Sequence, residues 1–272
     1  MKLTKIAIHG VPRSGTTWLG AIFDSSPNVA YRYQPLFSYA FKSLISGKSS
    51  LEEINDFFKE ILITDDEFVL QKIGKKTGIV PSFLKNNITH IIYKEVRYHN
   101  ILKNLLEKDS EIKVIGLVRN PLSVLSSWLQ APKEFRKDLG WDEIKEWRWA
   151  KKKNLDKLEE FNGFEKWKEA VLLFEGLEKK YPDRFLLLQY EHLLKEPNLN
   201  VKRIFSYCGI PYSKQTQDFI TESSENDQSK DAYSVFRKNQ TDDKWKAQLN
   251  KTIIDKIKDE LKTTSLEKYL YE

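Results

Sequence analysis

Residues 10–19 read GVPRSGTTWL, a run of glycine, hydroxyl and basic residues whose composition suits anion binding. The run follows an apolar segment that predicts a β-strand over 3–9, and it leads into a segment that is compatible with a helix. A strand, a glycine-containing loop and a helix N-terminus direct backbone N–H groups and the positive end of the helix dipole to one point. The sequence therefore predicts a phosphate-binding loop. Its candidate side-chain donors are Arg13, Ser14, Thr16 and Thr17.

This loop differs at one position from the phosphate-binding loop of nucleotide hydrolases and kinases, G-x-x-x-x-G-K-[ST]. Gly10 and Gly15 have the spacing of its two glycines, but Thr16 stands where that loop has its lysine. Without the lysine, the loop lacks the contact to the β- and γ-phosphates of ATP. The pattern keeps an anion-binding backbone and disfavours an ATPase or a kinase. A P-loop nucleotide kinase is the alternative enzyme class.

A second candidate phosphate site lies in residues 118–128, which read VRNPLSVLSSW and follow another predicted strand. Asn120 and Pro121 are suited to end the strand and to begin a helix. Arg119 offers a planar guanidinium for phosphate, and Ser127 follows it by eight residues, two turns along the new helix. Ligands of α/β proteins bind at the carboxyl ends of the parallel strands, so we expect this segment to contact the same ligand as the first loop.

The first loop resembles the 5′-phosphosulfate loop of sulfotransferases that use 3′-phosphoadenosine 5′-phosphosulfate (PAPS), which reads Pro-Lys/Arg-Ser-Gly-Thr-Thr-Trp. The second segment resembles the family's 3′-phosphate motif, in which Arg-Asn-Pro precedes a serine at the spacing of Arg119 and Ser127. Residues 190–197, YEHLLKEP, resemble the family's Tyr-Glu-Asp-Leu-Leu segment, and residues 235–246 resemble its Arg-Lys-Gly and Trp-Lys region. These matches follow the order that the family has.

The resemblance implies an enzyme that transfers the sulfuryl group of PAPS, without a metal, to a hydroxyl or amine, and releases adenosine 3′,5′-bisphosphate (PAP). The arginine at position 13 is similar to the carbohydrate and bacterial branches, whereas the aryl and steroid branch usually has lysine there. A saccharide or glycolipid acceptor is therefore expected. The other alternative is a catalytically inactive relative that binds a nucleotide or an anion. By resemblance, the donor-binding residues are Arg13, Ser14, Gly15, Thr16, Thr17, Trp18, Arg119, Ser127, Tyr190, Arg237 and Lys238.

The remaining catalytic groups are expected within residues 93–99, YKEVRYH, after the second predicted strand. In the family a lysine of this region contacts the sulfonate, and Lys94 fits that position. The aryl branch has its catalytic histidine two residues after the lysine, where this chain has Val96. The acceptor hydroxyl needs a general base. The candidates are Glu95, which is preferred, and His99.

Four short apolar runs predict buried parallel strands that position these residues, over 3–9, 88–93, 112–118 and 185–190. Helical patterns lie between them, at 98–108 and 164–181. The alternation predicts an α/β fold. The resemblance implies the three-layer fold of the P-loop-containing nucleotide hydrolases, with a central parallel sheet flanked by helices. A single sulfotransferase domain over residues 1–272 is expected.

Residues 129–165 interrupt the alternation with three tryptophans among lysines and glutamates, Trp141, Trp147 and Trp149. One interpretation is a long amphipathic helical insertion whose tryptophans pack on the core. The other is an aromatic wall or lid for the acceptor, because the flat apolar face of tryptophan suits a sugar ring.

Composition narrows the class of protein. The 272 residues are 40% hydrophobic and 31% charged, with a net charge of +6, and no apolar stretch is long enough for a membrane span. The basic excess suits an anionic small molecule, and no arginine-rich tail indicates nucleic acid. The single cysteine, Cys208, excludes an intramolecular disulfide, and the four histidines show no metal-ligand spacing. The N-terminus lacks a secretory signal pattern, so a cytoplasmic location is expected.

Overall fold

The computed structural model describes residues 3–225, 235 and 241–270. A parallel sheet of five strands lies at its centre. The strands are β1 (Thr4–His9), β2 (Val29–Tyr33), β3 (His90–Glu95), β4 (Lys113–Val118) and β5 (Phe185–Gln189). Their order is β2-β3-β1-β4-β5, so β1 is central and pairs with β3 on one side and β4 on the other.

Helices connect the strands and cover both faces of the sheet. The α-helices are α1 (Thr16–Asp24), α2 (Leu51–Ile63), α3 (Lys72–Lys76), α4 (Leu102–Lys108), α5 (Pro121–Leu129), α6 (Glu143–Glu146), α7 (Lys151–Asn154), α8 (Phe164–Lys180), α9 (Tyr190–Lys195), α10 (Pro197–Cys208), α11 (Lys214–Glu225), α12 (Trp245–Gln248) and α13 (Lys251–Leu261). Short 3-10 helices lie at Pro35–Phe37, His99–Ile101, Lys137–Leu139 and Glu267–Leu270. Within the described ranges, no helix combines the length and the apolar character that crossing a membrane requires.

Side-chain alternation along the strands builds a core on each face of the sheet. In β1, Ala7 packs into one core together with Phe174 of α8, whereas Ile6 and Ile8 pack into the other core with Phe205 of α10. Successive side chains of a strand point to opposite faces, so a sheet that is covered on both faces needs apolar residues at nearly every position. This explains the continuous apolar runs in the sequence. The expected α/β fold, a central parallel sheet between helical layers, is confirmed.

The strands differ from the expected ranges at two places. β2 was not expected, because its sequence VAYRY is short and contains no continuous apolar run, and as an edge strand it pairs only with β3. β3 ends at Glu95 rather than at residue 93. Lys94 and Glu95 therefore belong to the strand itself, and their side chains point to opposite faces of the sheet.

The expectation of a long helix within residues 129–165 is wrong. This segment contains one 3-10 turn and the short helices α6 and α7, of four residues each. Gly140, Ala150 and Leu155 adopt left-handed backbone conformations, which interrupt a right-handed helix at three points. The segment is consequently a folded loop that passes over the carboxyl edge of the sheet, where Glu134 contacts Arg13.

The three tryptophans of this segment have different surroundings. Trp147 is buried in the core, and Trp141 packs edge to face against Phe135 with the ring centroids 5.7 Å apart. Trp149 is exposed. The packing interpretation therefore describes Trp147 and Trp141, and none of the three lines the cavity described below.

Candidate active site

The loop between β1 and α1 has the geometry of an anion cradle. Gly15 has a φ of 89°, in the left-handed region that favours glycine, and α1 begins at the next residue. Ser14 is fully buried, and its hydroxyl oxygen has no hydrogen-bond partner in the part of the chain that the structure describes. A buried hydroxyl without a partner is costly, and an oxygen of a bound phosphate or sulfonate satisfies it. The loop therefore fits an anionic ligand.

The side chain of Arg13 joins this loop to α5. Its Nε donates a hydrogen bond of 3.0 Å to Oγ of Ser127, and its Nη1 lies 3.4 Å from Oε1 of Glu134. Arg13 itself has a left-handed backbone with a φ of 73°, which is uncommon for a residue with a side chain. Strained backbone of this kind concentrates at ligand-binding sites. The structure thus brings together Arg13 and Ser127, which the sequence assigned to opposite ends of one ligand.

Arg119 connects the two predicted phosphate segments directly. Its Nη1 donates a 2.7 Å hydrogen bond to the carbonyl oxygen of Arg13, and its Nε and Nη2 donate to the carboxylate of Asp242, with an Nε–Oδ2 distance of 2.7 Å. Burial disfavours the charge, but the carboxylate of Asp242 more than offsets this and holds the pKa of Arg119 above its ordinary value. Asp242 was not a sequence candidate, because no motif connects it to a residue 123 positions away.

Tyr190 and Trp18 form an aromatic end of the site. Tyr190 begins α9, and its ring lies so close to Gly15 that a Cβ atom there would come within 2.5 Å of the ring. Trp18 packs edge to face against Tyr190, with the centroids 6.2 Å apart, and its Nε1 donates a 3.0 Å hydrogen bond to Oγ of Ser223. The guanidinium of Arg119 lies 4.8 Å from the Tyr190 ring centroid. These rings offer apolar faces to a flat base.

The four remaining candidates for donor binding are Thr16, Thr17, Arg237 and Lys238. Thr16 begins α1, and both Thr16 and Thr17 line the cavity beside the loop. Arg237 and Lys238 lie outside the described residues, so their contact with the donor stays a prediction.

A cavity of about 630 Å³ is lined by most of these groups, although not by Ser14 or Asp242, and its lining residues fall into two sets by the strands that they end or follow. Arg119 and Tyr190, which follow β4 and β5, line one side. Residues that end or follow β2 and β3 line the other side. They include Tyr33, Gln34, Phe37, Lys94, Val96 and Arg97. We call these the β4–β5 side and the β2–β3 side.

Lys94 is a buried cation on the β2–β3 side. It is 1% exposed, and its Nζ lies 4.3 Å from the ring centroid of Tyr33. Burial lowers the pKa of Lys94, and the negative charges of Glu95 and Glu134 partly oppose that shift. An ammonium that has lost its water gains strongly from an anion in the cavity. Lys94 is therefore suited to contact a sulfonate.

Glu95 and His99, the two candidates for the general base, do not line the cavity. Oε1 of Glu95 accepts a 2.8 Å hydrogen bond from the backbone N–H of Leu36, and burial raises the pKa of Glu95. His99 is fully buried, and its Nδ1 lies 3.0 Å from Nδ1 of His9. Burial and the neighbouring His9 lower the pKa of His99. Oε2 of Glu95 and Nε2 of His99 have no hydrogen-bond partner among the described residues, but neither side chain reaches the cavity.

Glu134 is the carboxylate that sequence reasoning missed. It lines the cavity, lies 3.4 Å from Nη1 of Arg13, and exerts an electrostatic effect on Lys94. No motif marks it, because it lies in the loop of residues 129–165, whose path the sequence pattern does not predict. Among the described residues, no group of three or more His, Cys, Asp or Glu side chains is arranged to hold a metal ion.

The fold is that of an α/β protein, and the two candidate anion-binding segments meet at the carboxyl ends of its strands. The family model of the sulfotransferase domain matches residues 3–269. The chain therefore belongs to the sulfotransferase domain family.

Curated relatives include carbohydrate sulfotransferases. The chain is 22% identical to mouse carbohydrate sulfotransferase 3, across 89% of this chain and 62% of that protein. It is 24% identical to carbohydrate sulfotransferase 1 of Danio rerio, across 93% of this chain and 74% of that protein. The chain thus spans less than two thirds of the mouse protein.

Solved structures of sulfotransferases share the fold. A mouse sulfotransferase complexed with PAP matches with a TM-score of 0.57 and 15% identity, across 99% of this chain and 88% of that chain. Retinol dehydratase in complex with androsterone and the inactive cofactor PAP matches with a TM-score of 0.56 and 15% identity, across 98% of this chain and 83% of that chain.

Proposed function

We propose that the protein transfers a sulfuryl group from PAPS to a hydroxyl or amine of an acceptor, with a saccharide or glycolipid as the favoured acceptor. The observation that carries this proposal is the 2.7 Å hydrogen bond from Arg119 to the carbonyl oxygen of Arg13. It joins two anion-binding segments within one cavity, so that one nucleotide with phosphates at two positions contacts both. Family membership and the similarity to carbohydrate sulfotransferases support the same reaction.

The described residues fit such a donor. The loop around Ser14 would hold the 5′-phosphosulfate, because it offers an unsatisfied hydroxyl and a helix N-terminus. Arg119 and Ser127 would hold the 3′-phosphate, and the rings of Trp18 and Tyr190 would contact the adenine. The net charge of +6 favours association with this anionic molecule.

Sulfuryl transfer needs charge neutralisation at the leaving group. The donor supplies an activated sulfuryl group, and negative charge develops on the oxygen that bridges sulfur and phosphorus. Arg13 would stabilise this charge as a fixed cation, since a guanidinium does not release its proton at neutral pH. Lys94 would bind the equatorial sulfonate oxygens, where its buried ammonium has most to gain.

Glu134 is the general base in this proposal. It is a carboxylate on the cavity wall next to Arg13, where the transferred group would lie. A carboxylate there accepts the proton of the acceptor hydroxyl as the new O–S bond forms. The sequence candidates Glu95 and His99 do not line the cavity, so we prefer Glu134.

The aromatic rings of the β2–β3 side support a saccharide acceptor. Tyr33 and Phe37 both pack against Phe68, with centroid distances of 5.4 Å and 5.7 Å, and all three line the cavity. Flat apolar rings suit the C–H faces of sugars. An aromatic wall formed by Trp141, Trp147 and Trp149 was one of two interpretations of the sequence, but these tryptophans do not line the cavity, and Tyr33, Phe37 and Phe68 do.

The test combines donor binding with transfer. Titration calorimetry should detect PAP binding that is tighter than the binding of ATP with magnesium, and sulfur-35-labelled PAPS should label at least one member of a panel of oligosaccharides, glycolipids and phenols. Arg119→Ala should weaken PAP binding. Arg136→Ala, at an exposed arginine that pairs with Asp138, is the matched control and should bind normally.

Two results would contradict the proposal. Tighter binding of ATP with magnesium would favour the P-loop nucleotide kinase. PAP binding without transfer to any acceptor, and without hydrolysis of PAPS, would favour an inactive relative. A cytoplasmic location and a single domain also stay predictions, which cell fractionation and limited proteolysis test.

A further inference from the structure

The cavity is lined by cations beyond those that we assign to the donor. The proposed function already assigns three of the cations that line the cavity to the phosphates and the sulfonate of the donor. They are Arg13, Lys94 and Arg119. Arg97 and Lys153 also line the cavity, and they lie near each other, since the positive charge of Arg97 helps to lower the pKa of Lys153. Arg97 pairs with Glu160, whereas Lys153 has no ion pair among the described residues, and we call these two cations the Arg97–Lys153 pair.

Lys153 is a partly buried ammonium. In the described part of the chain its Nζ makes no ion pair or hydrogen bond, although Lys153 lines the cavity. Burial lowers the pKa of Lys153. Glu134 and Glu160 act against this shift, and Arg97 adds to it. The last residue of the same helix, Asn154, is buried and donates a hydrogen bond to the carbonyl oxygen of Asn162 at 2.8 Å, which fixes α7 in place. The ammonium is thus held near Glu134 and Glu160 without a direct ion pair to either of them among the described residues.

Arg97 is fixed with its guanidinium available to a ligand. The guanidinium carbon lies 4.1 Å from the ring centroid of Phe37, and Nε lies 3.2 Å from Oε2 of Glu160. No side chain or carbonyl of the described residues accepts a hydrogen bond from its terminal nitrogens. A guanidinium that is stacked on a ring and lies beside a carboxylate keeps its terminal N–H groups for a ligand, which suits bidentate binding of an oxyanion.

Resting on the proposed function, we propose that the acceptor carries an anionic group, a carboxylate or a sulfate ester, which binds to the Arg97–Lys153 pair. This group orients the acceptor so that its hydroxyl faces Glu134. An oxyanion that pairs with the ammonium of Lys153 replaces the water that this ammonium lost on burial. The contact also holds the acceptor in one orientation, which positions the reacting hydroxyl oxygen. The acceptor class is an acidic saccharide rather than a neutral one.

Matched acceptors test this inference. The probes are an oligosaccharide that contains uronic acid, the same oligosaccharide with its carboxyl groups reduced to hydroxymethyl groups, and the reduced form bearing a sulfate ester. We expect kcat/KM for sulfur-35 transfer to fall at least about tenfold for the reduced acceptor, since a charge-assisted hydrogen bond of ~1.5–3 kcal/mol is lost. Recovery with the sulfate ester would identify any oxyanion as sufficient, and no recovery would identify the carboxylate.

Two variants test whether the Arg97–Lys153 pair causes the preference for the acidic acceptor. Lys153→Met should abolish the preference for the acidic acceptor and leave PAP affinity unchanged. Lys151→Met, at an exposed lysine of the same helix, should retain both. Equal use of the acidic and reduced acceptors by the unmodified protein would overturn the inference. Weaker PAP binding in Lys153→Met would also overturn it, because Lys153 would then serve the donor.

A separate measurement keeps this inference distinct from the proposed function. Calorimetry of the PAP-saturated protein with each oligosaccharide reports acceptor binding without any transfer. Tighter binding of the acidic form would support the Arg97–Lys153 pair even if no sulfate were transferred, and in that case only the enzyme assignment would fail. Equal or absent binding of all three forms, with PAP bound, would overturn the inference itself.

Discussion

The burial of Lys94 in the candidate site lowers the stability of the folded protein. Its ammonium is 1% exposed and lies over the ring of Tyr33, so folding removes water from a charge before any anion is present. Burial lowers the pKa of Lys94 in the folded protein, whereas the unfolded chain keeps the ordinary value of about 10.4. The unfolded state thus binds the proton more tightly than the folded state does.

We expect Lys94→Met to raise the melting temperature and to abolish most of the transfer activity. Burying the charged ammonium of Lys94 lowers the free energy of unfolding. This cost is fully present at low pH, where the lysine is charged in both states. It fades as the pH rises toward about 10, where the lysine loses its charge in both states. The gain should be a few degrees at about pH 7, corresponding to about 1–2 kcal/mol, and smaller at about pH 10. Thermal unfolding at the two pH values measures it, and a variant that melts lower at neutral pH would contradict the prediction.

Arg13 and Arg119 should separate catalysis from donor affinity. Arg13→Ala should abolish transfer, because Arg13 neutralises charge that develops only during the reaction. Arg119→Ala should mainly weaken PAP binding, by about 10- to 100-fold for a lost charge-assisted contact. Steady-state kinetics and calorimetry distinguish the two effects. Wild-type kinetics in either variant would count against the assignment of the site.

Glu134 and Glu95 provide a matched pair for identifying the general base. Glu134→Gln should lower kcat by about 100-fold or more, as expected for the loss of a base, with PAP affinity unchanged. Glu95→Gln should keep most of the activity, because a glutamine oxygen still accepts the hydrogen bond from the Leu36 N–H. Glu134→Asp should recover part of the rate, because it restores a carboxylate at this position. If Glu95→Gln is inactive and Glu134→Gln is not, the sequence candidate was right.

The turn from β1 into α1 depends on a glycine for two separate reasons. Gly15 has a φ of 89°, and a Cβ there would come within 2.5 Å of the Tyr190 ring. Gly78 also has a left-handed backbone, with a φ of 75°, but a Cβ there would meet no atom within 4 Å. The two positions therefore share the backbone strain and differ in the steric clash.

We expect Gly15→Ala to displace Tyr190 and to reduce PAP affinity. Gly78→Ala should cost only the backbone strain, about 1 kcal/mol, and should bind PAP normally. The difference in melting temperature and in PAP affinity between the two variants reports the packing of Tyr190 against the loop. Equal affinities would show that the ring position does not matter for the donor.

Contacts between distant parts of the chain assemble the whole site. Arg119 pairs with Asp242, which is 123 positions further along, and Trp18 donates to Ser223, which is 205 positions further along. A donor that touches these parts binds only the folded state. At about 100 times its dissociation constant, PAP should stabilise the protein by ~2.7 kcal/mol, which raises the melting temperature by several degrees. Differential scanning fluorimetry with PAP measures this shift, and no shift at saturating PAP would contradict the assembled site.

Short-range sequence patterns were sufficient for the strands β1, β3, β4 and β5 and for the loop of residues 10–19. A buried parallel strand needs an apolar run, and an anion-binding turn needs glycine and backbone N–H groups close together in the chain. Both signals lie within about ten consecutive residues, so they can be read without knowledge of the fold. Edge strand β2 lacks such a run, because it has only one neighbouring strand.

The tertiary structure alone shows which residues line the β2–β3 side of the cavity and which carboxylate lies next to Arg13. Glu134 and Lys153 lie in an irregular loop whose path depends on three left-handed residues and on packing against the core. The strand period explains why Glu95, adjacent to Lys94 in sequence, points away from it. Residue types and local spacing were thus sufficient to predict an anion-binding loop at residues 10–19. Which groups face that ligand across the cavity was decided by the packing of segments far apart in the chain.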